Sequence, residues 1–172
     1  METIIQNINA VITANLHEIA PNADLQAYEL AESVAVRSDD DITFPAIILP
    51  NGECMSVDAE TDKHDITLYH RLGTISYQDD AKNAFGDKKN YIMVADMSLL
   101  VFGKRSVLNQ FQTEKIARQA IATIEECTLN QSDFNALQIF ANEYAGVTYF
   151  MGSAYYLFKI DYRITNAYTI CE

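Results

Sequence analysis

Cationic side chains, cysteines and long apolar runs are all scarce in this 172-residue sequence, and each shortage narrows what the chain can do. Twelve Lys and Arg stand against twenty-four Asp and Glu, a formal net charge of -12. Nucleic-acid affinity comes mainly from neutralising phosphates, so wrapping DNA, reading it sequence-specifically or docking on an anionic membrane is not expected. A surface past which DNA slides without sticking remains compatible with the same charge. Cys54, Cys127 and Cys171 are odd in number, widely spaced and without a C-x-x-C pair. That argues against a disulfide framework or a thiolate zinc site and leaves reduced thiols in a cytoplasmic setting as the expectation. No apolar stretch approaches the ~20 residues of a membrane span. The opening METIIQNINAVITANLHEIA is periodic rather than a basic end followed by an apolar block, so it reads as a helix and not as a signal peptide.

Motifs that carry chemistry are missing as well. There is no phosphate-cradling glycine loop, no G-x-S-x-G elbow and no H-E-x-x-H. DAETDKHD sets Asp58, Glu60 and Asp62 at alternate positions like the start of a calcium loop, but Lys63 and Tyr69 stand where Gly and Glu are needed, so a solvated acidic loop is the expectation. His64 and His70 have no third ligand at a workable spacing, and strand histidines facing partly into the core, with hydrogen-bonded rings, are expected instead. Cys54 and His64 can be written as a nucleophile and base, as any Cys and any His can, and an enzyme in which Cys54, His64 and Asp65 converge with other groups is the third reading. Neither an enzyme nor a bound cofactor or metal is expected. The ten tyrosines suit strands and wet interfaces alike.

What is present is periodicity. Ile4, Ile5, Ile8, Val11, Ile12, Leu16 and Ile19 recur at helical spacing up to Pro21, predicting an amphipathic helix from about Glu2 to Ile19. DLQAYELAESVAVRSDDD mixes signals and reads as a helical turn passing into a strand near Ser33 to Arg37. ITFPAIILP fits a strand ending in a Pro-Asn-Gly turn, with Pro45 marking an edge or a bulge. ITLYHRLGTISY alternates as a further strand, with Ile66, Leu68, His70 and Leu72 on one face. YIMVADMSLLVFG is apolar at both parities and predicts a central strand covered on both sides. A second helix is expected from Val107 to Cys127, capped by Ser106 or Thr113, with Leu108, Phe111, Ile116, Ala120, Ile121 and Ile124 on its stripe.

The last eighteen residues, YYLFKIDYRITNAYTICE, interleave an apolar series (Tyr156, Phe158, Ile160, Tyr162, Ile164) with a polar one. This is a half-buried strand that pairs back onto FNALQIFANEYAGVTYF through a turn around Met151, Gly152 and Ser153, and Lys159, Asp161 and Arg163 are its candidate interface or lumen face. Between the two middle strands, QDDAKNAFGDKKN is longer than most hairpin connections. Asp79, Asp80, Asp87, Lys88 and Lys89 in it are candidates for an arm reaching a neighbouring subunit or ring. The expected architecture is a single α+β domain over 1–172, with a mainly antiparallel β-sheet flanked by two amphipathic helices and a long exposed loop at 78–90.

This order of elements resembles the tail-terminator proteins of long-tailed bacteriophages and the related head-tail joining proteins. The likeness is carried by the first helix, FPAIILP (Phe44 to Pro50), YIMVADMSLLVFG, a single following helix and the closing YLFKIDYRITNAY. It departs in the material around Asp24 to Asp41 and in the 78–90 loop. The resemblance implies a non-enzymatic virion protein made in the bacterial host cytoplasm. Identical copies would form a ring, a hexamer or dodecamer, between connector, portal-side or tail proteins around the DNA channel. A small adaptor or immunity factor encoded with a mobile element is the alternative from another class.

Overall fold

The computed structural model describes residues 1–31, 33–39, 42–49, 51–56, 64–79, 89–130, 132–136 and 155–170. Helix α1 (Glu2–Ile19) is followed by β1 (Leu25–Ala31), β2 (Ser33–Asp39), β3 (Ile42–Ile48), β4 (Cys54–Ser56), β5 (Ile66–Asp79) and β6 (Lys89–Lys104). Helix α2 (Gln110–Thr128), β7 (Asp133–Ala136) and β8 (Tyr155–Ile170) complete the order. The strands form a five-stranded sheet, β1-β5-β6-β8-β7, and a three-stranded sheet, β2-β3-β4. The fold is α+β.

Alternation builds the core. Ile66 and Leu68 of β5, Ala95, Met97, Leu99 and Val101 of β6, and Phe158, Ile160, Tyr162 and Ile164 of β8 share one face and are all buried. Ile5, Ile8, Ile12 and Leu16 of α1 and Ile116, Ala117, Ala120 and Ile124 of α2 pack into the same cluster, so both helices lie side by side on one face of the sheet. Burying each large aliphatic chain contributes on the order of 1.5–3 kcal/mol, and this layer dominates the stability. Val11, at 44% exposure, and Phe111, at 77%, fall outside the stripes expected of them.

On the opposite face Thr67, Tyr69, Leu100 and Phe102 are also buried, with Tyr69 and Phe102 stacked at a centroid distance of 5.9 Å. Leu99 to Phe102 are therefore covered on both sides, as the continuous apolar run in β6 predicts. Past a bulge between Leu72 and Ile75 the sheet changes character, and residues 73–78 of β5 are exposed at both parities. Gly73 sits in that bulge, where an added Cβ would stand 3.1 Å from the Asp96 carbonyl oxygen, closer than a side chain comfortably allows.

Several expectations need correction. Leu25–Ala31 is a strand and not a helical turn, and it runs parallel to β5, whereas the other pairings among the described residues are antiparallel, as expected of a mainly antiparallel sheet. Helix α2 starts at Gln110, and its cap is Asn109 rather than Ser106 or Thr113. The Asn109 carboxamide oxygen accepts from the Gln112 N–H at 2.9 Å, while the Gln112 side-chain oxygen accepts from the Asn109 N–H at 3.0 Å. The same Gln112 donates from Nε2 to the Ile19 carbonyl at 3.1 Å, tying the start of α2 to the end of α1. Pro45 lies in β3 opposite Val36, one residue before β4 begins to pair at Ala46, so its missing N–H falls at an edge position. In the turn that follows, Gly52 takes φ +82, a conformation that favours glycine. The expected turn at residues 151–153 lies outside the described residues.

Leu129 caps α2 at φ 57 in the left-handed region, and its side chain is 89% exposed. Leucine there bears a conformational cost with no burial to offset it. Leu129→Gly is expected to stabilise the chain by about 0.5–1 kcal/mol, and Asn109→Ala to destabilise it by about 1 kcal/mol, both read from urea denaturation midpoints.

Candidate functional site

The polar face of β8 lies against matching polar positions on β6. In register, Asp161 stands opposite Ser98 and Arg163 opposite Asp96. The Ser98 hydroxyl donates to Asp161 Oδ1 at 2.5 Å, Lys159 Nζ lies 3.2 Å from the same oxygen, and Arg163 Nε donates to Asp96 Oδ1 at 2.9 Å. Two cations thus face two carboxylates, and the row is balanced within itself. Lys159 and Asp161 are largely covered, whereas Arg163 and Asp96 keep 58% and 53% of their side chains exposed. Exposed pairs of this kind contribute little stability, typically below about 1 kcal/mol.

An open groove of about 490 Å³ runs over this row, lined by Gly73, Asp96, Ser98, Asn130, Asp161 and Arg163 among others. Asn130, just past α2, reaches it by donating from Nδ2 to the carbonyls of Thr128 and Arg163, each at 3.0 Å. The groove collects donors and acceptors that are already paired with one another.

Of the five candidate arm residues, Asp79 is the last residue of β5 and Lys89 the first of β6, so the strands run further into the 78–90 segment than expected. Asp80, Asp87 and Lys88 lie outside the described residues, as do Asp58, Glu60, Asp62 and Lys63 of the acidic stretch.

His64 Nδ1 lies 3.0 Å from Asp24 Oδ2, and the Asp65 carboxylate accepts from the Asp24 N–H at 3.0 Å and faces Lys104 Nζ at 3.8 Å. With Asp65 and Ile66 N–H both donating to the Asp24 carbonyl, this cluster pins the start of β1 to the start of β5. Cys54 belongs to β4 in the smaller sheet. The Cys127 thiol is pushed above its ordinary value by burial and by Glu126, which makes it a poor nucleophile at neutral pH. Among the described residues no cluster of His, Cys, Asp and Glu could hold a metal, and no helix is long and apolar enough to cross a membrane.

His70 is fully buried and satisfied at both ring nitrogens, as expected of a core histidine. Nδ1 lies 2.7 Å from Tyr162 Oη and Nε2 lies 2.8 Å from Asn9 Oδ1, while Asn9 Nδ2 donates to the Tyr28 carbonyl at 3.1 Å. An amide oxygen can only accept, so Nε2 carries the proton and Nδ1 accepts from the tyrosine hydroxyl. Burial holds the imidazole down at about 3, against 6.5 when free, and pushes the Tyr162 phenol well above its ordinary range. Sequence reasoning placed His70 on the core face but not its partners. The legible hint was Asn9, a polar residue among Ile5, Ile8 and Ile12 on the α1 stripe.

Comparison with protein-family models and with curated proteins gives no match.

Tyr162→Phe removes the donor to Nδ1 and should cost about 1–3 kcal/mol in chemical denaturation. The unfolded ring takes a proton near pH 6.5 and the folded ring only near 3, so its contribution is complete above 6.5 and drains away as pH falls toward 3. Urea midpoints followed across that range should fall by up to about 1.4 kcal/mol per pH unit from this group, a part absent in His70→Gln. A double-mutant cycle on Asp96 and Arg163 should return a coupling below about 1 kcal/mol.

Proposed function

We propose that the chain is a non-enzymatic structural subunit that assembles with copies of itself into a ring at the head-tail junction of a tailed bacteriophage. The observation that carries this reading is the pair of long strand edges at one end of the five-stranded sheet. Strand β1 pairs with β5 only as far as Arg71, yet β5 continues to Asp79. Strand β7 pairs with β8 only at Phe158–Asp161, yet β8 continues to Ile170. Among the described residues no strand covers either outer edge beyond those points.

Long open edges invite strand addition, and a stable soluble protein must cover them. The two edges lie on opposite sides of the sheet, so a neighbouring copy can place its β8 edge beside the β5 edge. Both strands run antiparallel to β6, and a sheet continued between copies in the same orientation would join them in parallel. Such a contact is head-to-tail, the kind that closes into a ring when the rotation permits. Exposed Ile75, at 39%, and Tyr77, at 61%, supply apolar area next to the β5 edge.

Charge supports the channel assignment. The β8 row Lys159, Asp161 and Arg163 is balanced by Asp96, so it has little excess positive charge to hold phosphates, and the chain as a whole repels them. Connector, portal-side or tail proteins are the partners above and below, with Asp79, Asp80, Asp87, Lys88 and Lys89 as candidates for contact with a neighbouring subunit or ring.

Native mass over a concentration series, with negative-stain images of large species, is expected to give closed rings with a central hole, alone or on added tail tubes or connectors. Ile75→Lys, which sets a charge beside the β5 edge, should leave the subunit folded and reduce ring formation at least tenfold. A chain that stays monomeric under all these conditions would favour the adaptor reading instead.

A further inference from the structure

The His70 cluster joins four elements through one ring. The imidazole belongs to β5, with Leu30 of β1 and Leu99 of β6 opposite it in register. Tyr162 reaches it from β8 and Asn9 covers it from α1, and Asn9 is itself held by the β1 carbonyl of Tyr28. Tyr162 packs edge-on to the ring, with centroids 5.9 Å apart. Among the described residues Tyr162 is the titratable group that faces the imidazole, and no charged side chain from α1, β1, β6 or β8 compensates a positive charge there.

A protonated imidazole in this position needs water or a counter-charge, so one of its walls must open. Three walls are the strands β1, β6 and β8, all tied directly or through β6 to β5, which carries the ring. Strands β5, β6 and β8 are joined by ladders running along most of their length, and β1 is paired with β5 over five positions. The fourth wall, α1, is held by packed side chains and by isolated hydrogen bonds: Asn9 to the Tyr28 carbonyl, Gln6 Nε2 to Glu29 Oε1 at 3.0 Å, and Gln112 Nε2 to the Ile19 carbonyl. Detachment of α1 is thus opposed by burial of its apolar stripe and by these isolated bonds, with no continuous backbone ladder to the sheet to break.

We propose that His70, Asn9 and Tyr162 form an acid-released clasp: on acidification α1 lifts from the sheet while β5, β6 and β8 stay paired. Lifting α1 admits water to the ring and uncovers the stripe of Ile5, Ile8, Ile12 and Leu16 together with the sheet face beneath it. With α1 lifted the imidazole binds a proton like a free one, and with α1 docked it does not. The lifted population therefore rises about tenfold for each pH unit below 6.5, levelling off only near 3.

Amide hydrogen exchange on the intact protein, expressed as protection factors so that the intrinsic pH dependence cancels, tests the clasp. From about pH 6 to about pH 5 the amides of Ile8 and Ile12 are expected to lose about tenfold in protection while remaining less protected than Leu99 and Val101 of β6 throughout. In His70→Gln, whose amide can still donate to Asn9 and accept from Tyr162, that pH dependence should vanish. The clasp is overturned if α1 and β6 amides share one protection factor at every pH, since α1 would then leave only with whole-chain unfolding. It is also overturned if protection of α1 is independent of pH, or if His70→Gln keeps the slope. The first two outcomes are read on the unaltered chain, so the test stands even if the variant does not fold.

Discussion

Everything in this molecule is referred to β6. It is hydrogen-bonded along its length to β5 on one edge and β8 on the other, and its residues Leu99 to Phe102 are buried on both faces. A strand so placed needs apolar side chains at both parities and a partner for every backbone group, which is why the sequence YIMVADMSLLVFG has so little polar content at its C-terminal end. The helices are then fixed by which parity they cover. Both take the face of Met97, Leu99 and Val101, and the other parity is left to Tyr69, Leu100 and Phe102 at one end and to the Asp96, Ser98, Asp161 and Arg163 row at the other.

That division explains how one sheet can have an apolar base and a polar outer surface without burying an uncompensated charge. Where the opposite face is open, carboxylates and cations sit across from one another on adjacent strands and neutralise locally. In the sealed interior, the polar groups His70, Asn9 and Tyr162 are neutral and mutually satisfied. Groups of the same chain thus follow two different electrostatic solutions, set by access to water.

Legibility in the sequence tracked the range of the interaction that decides each feature. Helix α1, the register of apolar residues in β6 and the two-faced β8 are properties of local period, and they were readable. Strand β1 was not, because LQAYELA is composed largely of good helix formers and becomes a strand only by pairing with β5 about forty residues later. The parallel sense of that pairing depends on the excursion through β2, β3 and β4, which no local pattern announces. Asn109 was passed over because Ser106 and Thr113 offer similar caps in sequence, and only the reciprocal bond with Gln112 distinguishes them. The candidate surface was half readable: the alternation named Lys159, Asp161 and Arg163, but their partners Asp96 and Ser98 lie more than sixty residues earlier. His70 likewise was placed correctly, while its partners Asn9 and Tyr162 are 61 and 92 residues away.

The lengths of the elements have a mechanical corollary. A strand rises about 3.3 Å per residue and a helix about 1.5 Å, so strands β6 and β8, sixteen residues each, reach about 50 Å while α2, with nineteen, reaches about 28 Å. Helices of this size can brace only about half of such a ribbon. The β6–β8 ladder runs on past the helix-packed part through sixteen consecutive pairs without a register shift. Load applied at the tip near Ile170 is therefore delivered along a continuous spar to the helix-packed base, with no hinge on the way to absorb it.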